Sequence, residues 1–181
     1  MRLDVVEAAR TGDAQQREAL IREMWPHAFR IALTVVHDRA LAEDAAQEAC
    51  AIVYARVGGL RESAAFAVWF YRIVVREALQ VRRTAERAWD YVERDVESHG
   101  VERSIVRLDV AAALAKLSPV QRTATVLHYY AGLSGAEVAR VLGIPHGSVR
   151  FHLFQSRKRL ERLLDDRTAG TALERLLLDA V

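Results

Sequence analysis

Residues 134–160, SGAEVARVLGIPHGSVRFHLFQSRKRL, carry the spacing best suited to acting on another molecule. Ser134 with Glu137 three residues later makes a capping box, in which each side chain satisfies an orphan backbone donor at a helix start. Val138, Ala139 and Leu142 recur at helical spacing, and Gly143 supplies a left-handed stop. Pro145 fixes the connection, and Ser148 stands where it can cap a second helix. On that helix Val149, Leu153, Ser156 and Leu160 form a narrow apolar-to-small stripe, while Arg150, Phe151, Phe154, Gln155 and Lys158 point elsewhere. A short helix, a glycine-containing turn and a second helix with a basic outer face together offer a helix to the major groove of DNA. The same residues also suit a plain helical hairpin with solvated arginines.

Two further clusters lie upstream. In AEDAAQEA (42–49), Asp44, Gln47 and Glu48 are three and four apart and share one helix face. Acidic and amide groups there suit a basic partner surface, or simply water. In FAVWFYRI (66–73) and beyond, Phe66, Trp69, Phe70 and Tyr71 cluster beside Arg72, Arg76, Arg82 and Arg83. Flat rings for unstacked bases and cations for phosphates are what a single DNA strand requires. Phe66, Trp69 and Ile73 also fit a core stripe at i, i+3 and i+7.

Composition narrows the classes. The 181 residues are 51% hydrophobic and 28% charged, enough for a buried core in one medium or two small domains. The net charge is only +2, so nucleic-acid binding has to rest on local arginine placement. Of 26 basic residues only Lys116 and Lys158 are lysine, which suits phosphate and base-edge contacts or reflects genome composition. One cysteine, Cys50, rules out an internal disulfide and reads as a buried inert thiol. The six histidines and Cys50 form no metal-ligand spacing, and neither a phosphate loop, a nucleophile elbow nor a paired-carboxylate site is present. No catalytic residue, metal or cofactor is expected. The first residues lack an apolar signal core and no run reaches the roughly 20 apolar residues of a membrane span, so a cytoplasmic chain is expected.

The elements that must position these clusters are helices, because strand-like alternation is missing and prolines and glycines are few. Helical spacing over about 14–36 is interrupted at Trp25-Pro26, predicting two helices or one broken there. A helix from about Leu41 to Val57 turns Ala45, Ala49, Ile52, Val53 and Val57 inward; Gly58-Gly59 ends it and residues 60–65 form a loop. Another helix runs from about Ala65 to Arg87. Residues 86–109 hold seven acids against four arginines, which marks a linker. Ser118-Pro119 opens a helix with Val120, Ala124, Leu127 and Tyr130 as its inner positions, and Leu173, Leu176 and Leu177 suggest an amphipathic tail helix. The expected fold is all-α: two small helical domains, 1–85 and 109–165, joined by a linker at 86–108, the second domain containing the helix-turn-helix, with a tail at 166–181.

The block ALAKLSPVQRTATVLHYYAGLSGAEVARVLGIPHGSVRFHLFQSRKRL resembles the promoter-reading C-terminal domain of bacterial sigma factors, and AEDAAQEA with FAVWFYRI looks like their N-terminal core domain. With no domain between them, the layout is similar to the small group-four, extracytoplasmic-function type of the sigma-70 family. The resemblance implies a factor that binds core RNA polymerase, recognises the −35 and −10 promoter elements and assists melting. Those elements lie on the order of 58 Å apart at the ~3.4 Å rise per base pair. The linker 86–108 spans at most about 80 Å when extended, so both domains can engage together and tethering strengthens the pair.

The resemblance also implies roles for particular residues. Asp44, Gln47 and Glu48 match the face that meets the clamp helices of the polymerase's largest subunit. For the −10 element it points to the loop Gly58–Ala65 and the following helix, through Arg61, Ser63, Trp69, Tyr71, Arg72, Arg76, Gln80 and Arg83. For the −35 element it points to Ser148, Arg150, Phe151, His152, Gln155, Arg157 and Lys158. The sequence departs from the family in several places. Arg76 stands where Asn is common and Gln80 where Asp is. Phe151 replaces a small polar residue, and His152 and Gln155 each replace an arginine. Phe151 suits a thymine methyl and Gln155 a bidentate adenine contact, a less guanine-centred preference. Arg157, Lys158 and Arg159 suit phosphates. An anti-sigma protein is a further implied partner. Competing readings are a conventional dimeric helix-turn-helix repressor or activator, and a helical hydrolase with an incidental helix-turn-helix.

Overall fold

The computed structural model describes residues 2–89, 110 and 112–163. Most of the expected linker, the start of the second domain and the tail helix with Leu173, Leu176 and Leu177 lie outside the described residues. The chain forms two compact units whose main division falls between Ala88 and Trp89.

In the first unit, α1 (Leu3–Thr11) buries Val6 and Ala9. Sequence reading did not anticipate this helix, whose apolar face is only two residues wide. Asp13 then caps α2 (Ala14–Val36), accepting from the backbone of Gln15 at 3.1 Å and Gln16 at 3.3 Å. The expected break at Trp25-Pro26 does not occur, and α2 is continuous with Pro26 inside it. Pro26 is exposed, so the hydrogen bond it cannot donate is lost on the wet side, while Met24, Ala28 and Ile31 stay buried on the other. His37 ends α2 in the left-handed region at φ 60°, its N–H donating to the Leu33 carbonyl.

Asp38 caps α3 (Arg39–Arg56) by accepting from Leu41 at 2.8 Å. This helix buries Ala42, Ala45, Ala46, Ala49, Cys50 and Val53. Small residues on that face let its backbone pack closely along α2. Ile52 is half-buried rather than inside. Short 3-10 turns at Val57–Gly59 and Ser63–Ala65 frame the expected loop, and α4 (Phe66–Trp89) follows. Phe66, Phe70 and Val74 are fully buried and Ile73 nearly so, making the inner edge of α4 core. Arg82 of α4 reaches the Val35 carbonyl at the end of α2.

The second unit begins with the helical residues 112–115. Ala113 and Leu117 pack with Leu160, and Val110 and Leu114 lie against them. Ser118 and Gln121 form a reciprocal capping box with Pro119 in the first turn of α5 (Pro119–Tyr129). Ala124, Leu127 and Tyr130 are buried as expected, but Val120 is 43% exposed. Val120 stands in the first turn, on the same side as Ala124 and Leu127, and beyond it residues 122–127 are buried all round the helix, Arg122 among them. Its Nε donates to the Leu114 carbonyl at 2.7 Å, and its Nη2 to those of Ala115 at 3.0 Å and Leu117 at 2.9 Å. These carbonyls lie at and just beyond the C-terminal end of residues 112–115, where few intrahelical donors remain. Burial lowers the Arg122 pKa, yet the side chain stays a donor to three acceptors.

Helices α6 (Gly135–Leu142) and α7 (His146–Leu163) complete the unit. Glu137 N–H donates to Ser134 Oγ at 3.3 Å and Ser134 N–H to Glu137 Oε2 at 2.9 Å, the expected capping box. Gly143 closes α6 at φ 66°. Ser148 does not cap α7: the helix starts at His146, and the N–H groups of Ser148 and Val149 both donate to the Pro145 carbonyl, placing Ser148 inside the first turn. The expected stripe holds, with Val149, Ser156 and Leu160 buried and Leu153 half-buried. Ser156 Oγ donates to the Gln121 carbonyl of α5 at 3.3 Å. His128 Nδ1 lies 2.7 Å from the Leu133 carbonyl. A carbonyl only accepts, so Nδ1 carries the hydrogen and ties α5 to the connection before α6.

Candidate polymerase and DNA interface

Asp44, Gln47 and Glu48 are all exposed on α3, opposite its alanine-lined inner face. The spacing that places Ala42, Ala45, Ala46 and Ala49 against the core leaves these three in water. Among the described residues neither Asp44 nor Glu48 stands within ion-pair distance of a cation.

The loop after α3 and the outer face of α4 form a second surface. Arg61 is exposed and Ser63 half-buried, its hydroxyl donating to the Glu7 carboxylate. Trp69 is half-buried with its ring centroid 5.9 Å from that of Phe66, so part of the indole remains accessible. Tyr71 corrects the sequence reading: it is 4% exposed, stands edge-on to Phe70 at 5.0 Å, and belongs to the core rather than to a DNA-facing surface. Its placement follows from helical phase, since Tyr71 shares a side of α4 with Val74, Val75 and Ala78.

Arg72, Arg76, Gln80 and Arg83 are exposed at i, i+4, i+8 and i+11 of α4. Arg76, Gln80 and Arg83 line one shallow groove with Leu79 and Thr84. Arg76 is not a bare cation, because Nη2 lies 2.7 Å from the carboxylate of Glu77, itself nearly buried. That pairing fixes the guanidinium plane while leaving the Arg76 side chain 58% exposed. Among the described residues, Arg72 and Arg83 have no carboxylate within ion-pair distance.

On α7, Arg150, Phe151, Arg157 and Lys158 are exposed, whereas Ser148, His152 and Gln155 are half-buried. Gly147, Arg150, Phe151, Phe154 and Lys158 line the outer side of the helix. Phe151 and Phe154, at 59% and 62%, are the largest apolar surfaces exposed there. Phe154, three residues on from Phe151, is exposed on the same face. Arg157 is held by Glu161 at 2.8 Å, which suits a phosphate-positioning cation more than a base reader. Among the described residues no group of three or more His, Cys, Asp or Glu could hold a metal. No helix there is long and apolar enough to cross a membrane.

Residues 20–88 match the protein family described as Sigma-70 region 2, and residues 107–160 match Sigma-70, region 4. RNA polymerase sigma-H factor of Pseudomonas aeruginosa is 31% identical, the alignment covering 88% of this chain and 92% of that one. The extracytoplasmic-function RNA polymerase sigma factor SigM of Mycobacterium tuberculosis is 30% identical over 95% of this chain and 89% of its own length. Among solved structures, the sigma factor RpoE of Bartonella quintana, crystallised with the anti-sigma factor NepR, shares the fold with a TM-score of 0.70 at 22% identity. That match covers 81% of this chain and 94% of RpoE. CnrH, solved with the cytosolic domain of CnrY, matches with a TM-score of 0.64 at 20% identity, over 91% of this chain and 97% of CnrH.

Proposed function

The chain belongs to the extracytoplasmic-function group of the sigma-70 family, and from that premise we propose how its residues divide the work of promoter-specific transcription initiation. The first unit, within residues 1–85, docks on core RNA polymerase through Asp44, Gln47 and Glu48. It contacts the −10 element through Arg61, Ser63, Trp69, Arg72, Arg76, Gln80 and Arg83. The second, within 109–165, enters the major groove of the −35 element with α7. Phe151 and Gln155 read bases, and Arg150, Arg157 and Lys158 position the helix on phosphates. The bond-making chemistry belongs to the polymerase, and the chain works in the cytoplasm where polymerase and promoter are found. An anti-sigma protein is a third class of partner, as RpoE of similar fold was crystallised with the anti-sigma factor NepR.

The observation that carries this reading is α3. One side of it buries four alanines with Cys50 and Val53, and the other presents Asp44, Gln47 and Glu48 to solvent. A conventional dimeric repressor gives that polar face no task and leaves the region 2 match unexplained. The test is transcription in vitro: purified chain plus core polymerase yields promoter-dependent transcripts from fragments selected out of genomic DNA. Binding to DNA without any core-dependent transcript would refute the assignment.

A further inference from the structure

The opening helix, α1, carries no polymerase or DNA contact in the scheme above, yet its polar side is tied to the loop after α3. Glu7 accepts from Arg10 through both Nη2 at 2.6 Å and Nε at 3.0 Å, and the same carboxylate accepts the Ser63 hydroxyl. Arg10 uses its remaining nitrogen, Nη1, to donate to the Leu60 carbonyl at 3.3 Å. One ion pair on α1 thus holds the loop at Leu60 and at Ser63, on either side of the exposed Arg61. The start of the loop is seated as well. A Cβ on Gly58 would stand 3.2 Å from Arg17 Nη2 and 3.6 Å from the Arg10 carbonyl, so α1 and α2 lie beside that turn. Val6 and Ala9, completely buried, anchor α1 beneath.

A segment that receives a base leaving the stack works best when its shape exists beforehand, because nothing then has to be ordered during capture. We propose that Glu7 and Arg10 are positioning residues for strand opening: through Leu60 and Ser63 they brace the loop in its base-receiving shape. This rests on the reading of Gly58–Ala65 as part of the −10 surface, and goes beyond it by giving α1 a task.

The test uses the full chain with core polymerase on a promoter selected from genomic fragments. Glu7→Ala, Arg10→Ala and Glu7→Gln are compared for helix content, core association, binding to a −35-only duplex, and permanganate reactivity of thymines in the −10 region. Both alanine variants should lower opening about tenfold, while core association and −35 binding change less than twofold. Glu7→Gln keeps an acceptor for Ser63 but loses the ion pair, and should fall between. On a template carrying a mismatched bubble across −10, the defect should shrink to less than threefold. Unchanged opening in both alanine variants overturns the proposal, as does a loss of core association as large as the loss of opening. Arg61→Ala separates the two ideas. If it too leaves opening intact, the loop was misassigned; if it impairs opening while the α1 variants do not, the brace alone is wrong.

Discussion

Replacing Arg122 with methionine should unfold the second unit's first corner and remove −35 binding, although Arg122 touches no DNA in this scheme. Arg122 is 7% exposed, and among the described residues its guanidinium donates hydrogen bonds of 2.7–3.0 Å to the carbonyls of Leu114, Ala115 and Leu117. Methionine fills much of the volume but donates nothing. A net loss of about 1 kcal/mol per bond, toward the lower end of the roughly 0.5–3 kcal/mol spanned by neutral and charged bonds, gives about 3 kcal/mol. The lower end is appropriate because the Leu114 carbonyl also accepts from Leu117 N–H. For a unit of this size that corresponds to a drop in Tm of roughly 12–24 °C. Circular dichroism melting of the full chain should resolve it, with core association retained because α3 lies in the other unit. An Arg122→Met chain melting within 2–3 °C of the original would refute the claim that this side chain holds the corner together.

Other perturbations test the surfaces. Asp44→Lys with Glu48→Lys should abolish co-elution with core polymerase while leaving helix content unchanged, since both side chains are exposed. Lys158→Ala should weaken DNA binding for all sequences alike and reduce the salt slope by about one unit, read from titrations at several salt concentrations. Gly143→Ala should cost about 1 kcal/mol, because φ is 66° while the space for a Cβ is open; Gly143→Asn should cost less, as denaturant titration would show. The Arg10 guanidinium, and then the Ser63 hydroxyl, hold the Glu7 carboxyl down at about 2, against an ordinary 4.5. A depressed acid contributes above its unfolded value and loses that contribution as pH falls from about 4.5 toward 2. Promoter opening should therefore show no inflection from Glu7 between pH 5.5 and 8; one that Glu7→Gln removed would contradict the pairing.

Much of the second unit was legible from sequence because its helix ends are written in local chemistry. Ser118, Ser134 and Gly143 each fix backbone geometry within four residues, and all three behave as read. Where tertiary packing decides, local reading failed. Pro26 should break a helix, but burial of Met24, Ala28 and Ile31 around it outweighs one missing hydrogen bond on the exposed side. Val120 stays exposed in the first turn of α5 although Ala124 and Leu127 on its own side are buried, and Arg122 is buried against carbonyls that sequence spacing could not identify. Tyr71 looked like a stacking platform by composition, and its helical phase sends it into the core instead. The ties from Glu7 and Arg10 to Leu60 and Ser63 cross about 50 residues of chain, and no local pattern encodes them.

The small-residue face of α3 has one chemical consequence. Its single thiol, Cys50, is 4% exposed, and burial pushes its pKa up to about 11, so almost none of it is thiolate at neutral pH. Peroxide and disulfide reagents attack the thiolate and should pass this sulfur by. With no other cysteine among these 181 residues, a thiol-specific oxidant meets no ready thiolate here.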